Sequence, residues 1–452
     1  MVKILNSDIG AVVKAGLLKS LVSLVVKVAA AGLTYLMFVA LSRAMGANAY
    51  GMFAIGFSLA TMLSIVASMG QQTAILRFWP EDKVANRPEK ALNALKSGWA
   101  LVVLAGIGFS LALVLGAAVL GWINQDFGAY AHLFAAALLI LPMAGAEYGS
   151  SVLRAQGSVW SALVPRDIIW RILVPSLIWL FYLQGAELSG ADALLLTSVL
   201  LAFALLLQFF VGKRGGYING IKFSGLKSYL KTRGEASKWF LIGTVVDSAA
   251  LNVDIVLVGI FVTSESSGVY FNAFRTAALM TLFMYAITLV IAPMVSRHFH
   301  AGEMLKAQAV TSLCTWAGFI FSVGIFIVFL LFGDLILSLF GAEYAQGKIV
   351  LIILSVGLLA DAATGPTRIV MMMTGHERAY VSIFGGIMGL GFIIQIFVIP
   401  QFGLIGAATV NAGSRIIAQT VISWWTYKNV GIDTSLLGLR GLFGLMKERP
   451  SS

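Results

Sequence analysis

The amino-acid sequence predicts an all-α integral membrane protein of about twelve transmembrane helices, and three observations carry that expectation. The first is composition: of 452 residues, 59% are apolar and only 11% charged, against roughly 25% charged in a typical soluble domain. The second is the length and spacing of the apolar runs. At about 20 to 25 residues per crossing, twelve spans take roughly 240 to 300 residues and leave short loops. The third is that Lys and Arg gather on alternate loops, the pattern of a chain whose short basic loops stay in the cytoplasm.

Cut at Gly, Pro and charge clusters, the runs lie at 17–42, 50–76, 95–121, 131–155, 159–183 and 190–212, then at 238–262, 267–295, 307–333, 347–375, 379–400 and 403–428. Pro400-Gln401-Phe402-Gly403 reads as the turn between the last two. With the N-terminus inside, the cytoplasmic loops hold Arg77, Lys83, Arg87, Lys90, Lys96, Arg154, Arg297, Lys306 and Arg378, whereas the opposite face has only Arg43 and Lys348. Both termini are therefore expected in the cytoplasm. The expected organisation is a six-helix bundle over 1–212, a basic cytoplasmic linker over 213–237, a second six-helix bundle over 238–428 and a cytoplasmic tail over 429–452.

From Lys213 to Lys238 the chain has seven basic residues and one acid, Glu235, with Phe223, Leu226 and Leu230 at helical spacing. That pattern predicts an interfacial amphipathic helix against membrane lipids. The tail repeats it, setting Leu436, Leu439, Phe443 and Met446 against Arg440, Lys447 and Arg449.

These basic segments account for the formal charge of +11, so nucleic acid is not an expected partner. Cys314 stands alone in an apolar run, which excludes an internal disulfide and a multi-cysteine metal site. No Gly-rich loop ends in Gly-Lys-Ser or Gly-Lys-Thr, so nucleotide hydrolysis by this chain is not expected, and no cofactor is implied. The first apolar run continues past residue 40 and reads as a retained span. His298 and His300 lack a third ligand nearby and do not make a metal site.

Sliding the chain on itself reveals a repeat. Gly51-Met52-Phe53 meets Gly268-Val269-Tyr270 at an offset of 217, and Phe127-Gly128-Ala129-Tyr130 meets Phe340-Gly341-Ala342-Glu343-Tyr344 at 213 to 214. Gln156-Gly157 meets Thr374-Gly375 at 218, and Gly190-Ala191 meets Gly406-Ala407 at 216. Each match falls at the same place in a six-span unit, so the halves are expected to form a parallel repeat flanking a central site near the bilayer midplane.

Charges inside the spans mark that site. Lys27, Arg166, Arg171, Arg275, Arg368 and Arg415 lie there with Glu147, Asp167, Asp247, Asp254 and Asp361. Each central charge facing acyl chains costs roughly 2.5 to 3.5 kcal/mol even on the lenient insertion scale, so together they must face a cavity or one another. Glu147 and Arg154 are seven apart, as are Asp361 and Arg368, and an offset of 214 superposes the two pairs. Pro165 and Pro175 flank Arg166-Asp167 and Arg171, bending that helix and freeing backbone carbonyls. Arg166, Arg171, Arg368 and Arg415, with Lys27 opposite, would line a basic cavity suited to a diphosphate, because guanidinium grips phosphate oxygens in pairs. Ion pairing, or snorkelling to the interface, is the alternative for the same residues. Arg275 either joins the cavity or pairs with Asp247 and Asp254. Glu147, Asp247, Asp254 and Asp361 are the candidates for ion coupling or gating, since a buried carboxylate can be poised to titrate.

Short motifs add a family likeness. Ala44-Met45-Gly46 followed by Tyr50-Gly51-Met52-Phe53 resembles the Leu-Gly-x3-Tyr-Gly-x-Phe element after the first span of polysaccharide transporters, with Met45-Gly46 in place of Leu-Gly. Leu339-Phe340-Gly341-Ala342-Glu343-Tyr344, Gly375, and Gly403-x-x-Gly406-Ala407-Ala408 look like the same family, the Wzx-type oligosaccharide flippases. The resemblance implies a MATE-like fold, two six-helix bundles forming a V around a cationic cavity and related by a pseudo-two-fold repeat. It also implies a non-enzymatic transporter of the bacterial inner membrane. Its substrate would be undecaprenyl-diphosphate-linked oligosaccharide, moved from the cytoplasmic to the outer leaflet for O-antigen, capsule or exopolysaccharide. A polysaccharide polymerase or export machinery is the candidate partner. A MATE-type drug/cation antiporter is the alternative of the same fold class. A membrane glycosyltransferase would need a large polar loop, and the loops outside are only about ten residues long.

Overall fold

The structure, a computed structural model, describes residues 25–214 and 225–438. The start of the first run, Phe223 in the linker, and the tail residues Leu439, Arg440, Phe443, Met446, Lys447 and Arg449 lie outside the described residues. The described residues are all-α, and nine of their helical stretches are long and apolar enough to cross a bilayer. The protein is a multi-pass membrane protein. The chain divides into two compact units, 1–252 and 253–452.

In the first unit, α1 (Val25–Ala44) leads into α2 (Ala47–Ala67) and α3 (Gln71–Val84). The second apolar run is thus two helices meeting at a turn around Met69 and Gly70, both with positive φ. α4 (Pro88–Asn124) follows, opening on a proline whose missing N–H would be unbonded there anyway. Next come α5 (Ala131–Ala155), α6 (Val159–Val164), a π turn over Pro165–Ile169, α7 (Trp170–Leu183) and α8 (Gly190–Arg214). α5 is the central helix, touching α2, α3, α4, α6 and α8. Its Ala135, Ala136, Ala137, Ala144 and Ala146 are fully buried, and small side chains let helices approach closely where lipid supplies no hydrophobic drive. Tyr148 on the same helix is buried edge-on to Trp99 at 5.0 Å and donates to the Leu95 carbonyl at 2.9 Å.

The amphipathic segment expected after α8 is not a separate helix. From Leu226 it runs unbroken into the seventh apolar run as α9 (Leu226–Phe261), because no proline interrupts that stretch. It docks on α3 through Tyr229 and Arg233. Tyr229 is buried and donates to Gln71 Oε1 at 2.6 Å, and Arg233 donates to Asp82 Oδ1 at 2.7 Å while lying over the Phe78 ring. Burial pushes the Tyr229 phenol up to about 12, so it stays a hydroxyl donor. Lys227, Leu230 and Lys231 are left exposed.

In the second unit, α10 (Ser264–Ala277), a tight turn over Ala278–Met280 and α11 (Thr281–His300) carry the eighth run. The Thr263 hydroxyl caps α10 by accepting from the Ser266 N–H at 3.1 Å. α12 (Met304–Ser338), α13 (Lys348–Thr364) and α14 (Thr367–Met373) precede α15 (Glu377–Val430). α15 has 54 residues, but Gly403 within it adopts φ 57° and ψ −139°, a conformation open to glycine because it lacks Cβ. The helix reverses there. Gln395 on the first arm donates to the Ala407 carbonyl on the second at 3.2 Å. A Cβ at Gly391 would touch Ser414. The arms thus pack against each other as a hairpin. α13 takes the central place, touching α10, α12 and α15, as α5 does in the first unit.

Past α15 the chain folds back. Gln308 on α12 bonds both the carbonyl (2.7 Å) and the N–H (2.8 Å) of Asp433, and Thr315 donates to the Thr434 carbonyl at 2.8 Å. The Leu436 N–H donates to the Ala363 carbonyl at 3.0 Å. Residues 433–436 therefore strap α12 to the end of α13.

Candidate functional site: two buried charge clusters

In the first unit the fifth run carries the site. Pro165 has no N–H to give the helical ladder, and the chain widens into a π turn, a feature frequent at functional sites. The carbonyl of Arg166 then accepts from Trp170 Nε1 and from Arg171 Nη1, the latter at 3.0 Å. These bonds fix the turn and hold Arg171 against the Trp170 ring at 4.7 Å.

Asp167 is the hub. It is 1% exposed. Lys27 of α1 donates to its Oδ2 at 2.7 Å, Arg171 approaches Oδ1 at 3.5 Å, and Arg166 lies 3.7 Å from the same oxygen. Arg166 also bonds Glu147 of α5. Three cations thus share two carboxylates, a local excess of one positive charge. Lys27, Arg166 and Glu147 retain 20–29% of their side-chain exposure, so this edge is open while Asp167 is sealed. Val26, Leu153, Ala162 and Leu163 pack beside it as an apolar wall. Arg154, two turns from Glu147, donates instead to Ser151 Oγ at 2.9 Å.

The second unit holds a cluster of opposite balance. Asp361 on α13 accepts from Arg415 on the second arm of α15 at 3.0 Å. Arg415 Nε donates to Asn411 Oδ1 at 3.2 Å, and Asn411 donates to Asp254 Oδ2. Tyr270 of α10 donates to the same oxygen at 2.8 Å. Two acids here face one cation. Asp254 and Arg415 are 2% and 6% exposed. Asn411 and Tyr270 carry no charge and hence give no signal of their own in an apolar sequence. One did exist in spacing, since Asn411 lies one helical turn before Arg415.

The acids of the two central helices, Glu147 and Asp361, are 214 residues apart, and each bonds an arginine from a different helix. The other expected residues lie elsewhere. Arg275 lies over the Phe271 ring at 4.8 Å, and Arg368, exposed, lies 5.8 Å from the Tyr380 ring. Asp247 is half-buried on α9 in the first unit, and Cys314 is buried. Among the described residues no group of three His, Cys, Asp or Glu side chains is placed to hold a metal. His298 Nδ1 sits 2.6 Å from Glu303, which also takes Lys306 at 2.8 Å. Those hydrogen bonds, from Lys306 first and His298 second, hold the exposed Glu303 carboxyl below its ordinary value.

Comparison with known proteins agrees with this fold. The chain is 24% identical over 449 residues to a Haloferax volcanii protein named probable low-salt glycan biosynthesis flippase Agl15, covering 92% of this chain and 88% of that one. It is 25% identical over 271 residues to the capsular polysaccharide biosynthesis protein CapF of Staphylococcus aureus, covering 58% of this chain and 66% of that one. Among solved structures, an inward-facing multidrug resistance MATE family transporter of the MOP superfamily superposes with a TM-score of 0.71 at 15% identity, covering 94% of this chain and all of that one. The lipid II flippase MurJ, in an inward closed conformation, gives 0.68 at 15% identity over 96% of this chain and 94% of that one. The chain shares the fold of these transporters. Residues 40–349 match the family described as polysaccharide biosynthesis protein, and with more than half of its length inside that match, the chain belongs to that family.

Proposed function

We propose that this chain is a non-enzymatic flippase. It carries undecaprenyl-diphosphate-linked oligosaccharide by alternating access from the cytoplasmic to the outer leaflet of a bacterial inner membrane, both termini cytoplasmic. The single observation that supports this most is the Asp167-centred cluster, where three cations outnumber two acids at an edge that is still open. Glu147 occupies Arg166. A diphosphate brings two or more negative charges and paired oxygens, so it can displace Glu147 and take Arg166 in bidentate fashion, with Lys27 beside it. Asp167 remains behind as the fixed counter-charge that keeps Lys27 and Arg171 in place. The glycan would follow through the polar interior while the prenyl tail stays in lipid. The names of the two relatives, a glycan flippase and a capsule protein, accord with that cargo, which would feed a polysaccharide polymerase or export machinery.

The second cluster suits ion coupling instead. Asp254 and Asp361 share one cation, so one of the two can take up a proton or a cation at little electrostatic cost. Glu147 and Asp247 are the further candidates for that role. Arg275, Arg368 and Arg415 fill the second unit's share of a substrate path only if they leave their present partners.

The test is flipping of a fluorescent undecaprenyl-diphosphate-oligosaccharide in proteoliposomes. Arg166→Gln removes a charge-assisted hydrogen-bond pair of about 1.5–3 kcal/mol and is expected to slow flipping roughly 10- to 100-fold in protein that elutes as folded. Equal rates would remove Arg166 from the substrate path. Export of organic cations with no lipid movement would replace the flippase by the antiporter.

A further inference from the structure

The first unit has a cavity of about 560 Å³ between the α1–α2 turn and the α7–α8 loop, lined by none of the charge-cluster residues. Its volume falls within the range of roughly 300–1,000 Å³ typical of small-molecule sites. We infer that this cavity binds sugar residues of the transported glycan on the non-cytoplasmic face, an inference that rests on the flippase reading.

The placement follows from helix alternation. The α3–α4 turn, with Lys83, Arg87 and Lys90, lies at one end of the unit; α4, α5, α6–α7 and α8 then run alternately away from it and back. The α1–α2 turn and the α7–α8 loop therefore lie at the end opposite those basic residues. By the charge rule that end faces away from the cytoplasm, where a flipped glycan arrives.

The lining has the chemistry of a sugar site. Tyr182 is 46% exposed and is braced by Trp179, ring centroids 5.3 Å apart. An exposed aromatic face packs against the C–H face of a pyranose. Asn48 and Glu187 line the same cavity and are exposed, and among the described residues neither side chain has a hydrogen-bond partner. A carboxylate and a carboxamide together bind vicinal hydroxyls, the carboxylate by charge-assisted hydrogen bonds. Charge selects the ligand: the lining has one carboxylate and no cation, so it repels a diphosphate and accepts a neutral glycan.

The walls are also preorganised. The Ala186 N–H returns to the Phe181 carbonyl at 3.0 Å and closes the end of α7. Ser189 and Asp192 form a reciprocal capping box at the start of α8, with N–H bonds of 3.0 and 3.2 Å. The Tyr50 N–H donates to the Gly46 carbonyl at 2.9 Å on the other wall. These bonds fix the loops that wall the cavity, and a site with fixed walls loses less entropy on binding.

The test uses Ala186→Cys in a Cys314→Ala background, labelled in detergent by a water-soluble maleimide. The probe is the oligosaccharide mixture released by mild acid from the lipid-linked pool of the host cell, at millimolar concentration. Labelling is expected to slow at least fivefold with the sugars present, and the protection to vanish when Tyr182→Ala or Glu187→Gln is added. Val84→Cys, at the opposite end, is expected to label at one rate throughout. If Ala186→Cys does not fold, Ala47→Cys on the facing wall takes its place. Unchanged labelling in folded protein overturns the inference. Wild type that flips lipid without such protection defeats the sugar site alone, whereas protection without flipping defeats the flippase reading alone.

Discussion

Asp167 sits within reach of Lys27, Arg166 and Arg171, and its carboxylate holds three cations that would otherwise repel one another. Removing one partner from a buried ion pair typically costs about 3–5 kcal/mol. Asp167→Asn should therefore lower the aggregation temperature of the detergent-solubilised protein sharply. Adding Lys27→Met should recover part of the loss, since fewer charges are then left unpaired; a purely additive double variant would show that the two do not interact. At the α11–α12 turn the sign of the pH effect is fixed by the lowered Glu303 carboxyl. Its contribution is fully present above the unfolded value of about 4.3 and is lost as pH falls through the lower folded value. Amide exchange around 300–304 should be faster in Glu303→Gln than in wild type at neutral pH, and the two should converge in strong acid. The charged residues of both clusters are legible in the sequence because charge in lipid is expensive. Their pairing is not, since Lys27 and Asp167 are 140 residues apart and nothing in a one-dimensional pattern says which acid meets which base.

Among the elements, breaks matter more than runs. The turn at Gly403 is visible in sequence, because Pro400 and Gly403 interrupt an apolar stretch, and so is the bend at Pro165. The turn at Met69-Gly70 is not, since both residues are at home in an apolar run and only backbone φ reveals them. The unbroken passage from the basic linker into α9 is hidden for the same reason, as charge composition changes there without any change in helicity. A second glycine tests the strap that follows α15. Gly365 ends α13 at φ +68°, and a Cβ there would meet Thr315 Oγ1 and the Thr434 carbonyl. Gly365→Ala should destabilise the second unit by about 1–3 kcal/mol from backbone strain alone and loosen residues 433–436, read as faster proteolysis after Gly431. Unchanged proteolysis and thermal stability would show that the strap yields without cost.

For the whole molecule, the two units repeat one plan with opposite charge balance. Each has a central helix, α5 or α13, bearing an acid bonded to an arginine from a neighbouring helix. One cluster is left with an excess of cation and the other with an excess of acid; on the proposed reading the first serves the cargo and the second the driving force. Asp254→Asn can still accept from Tyr270, so the fold should hold while flipping loses its dependence on a proton or sodium gradient. A variant as gradient-dependent as wild type would move the coupling to Asp361, Glu147 or Asp247. The hairpin of α15 has a further consequence for biosynthesis. Its turn offers water only Gln401 as a polar side chain, and its second arm carries Arg415, neutralised by Asp361 on the preceding α13. The two arms are therefore poorly suited to enter the bilayer one at a time. They should leave the translocon as a pair, after α13, with the earlier helix acting as an intramembrane chaperone for the arginine that follows it.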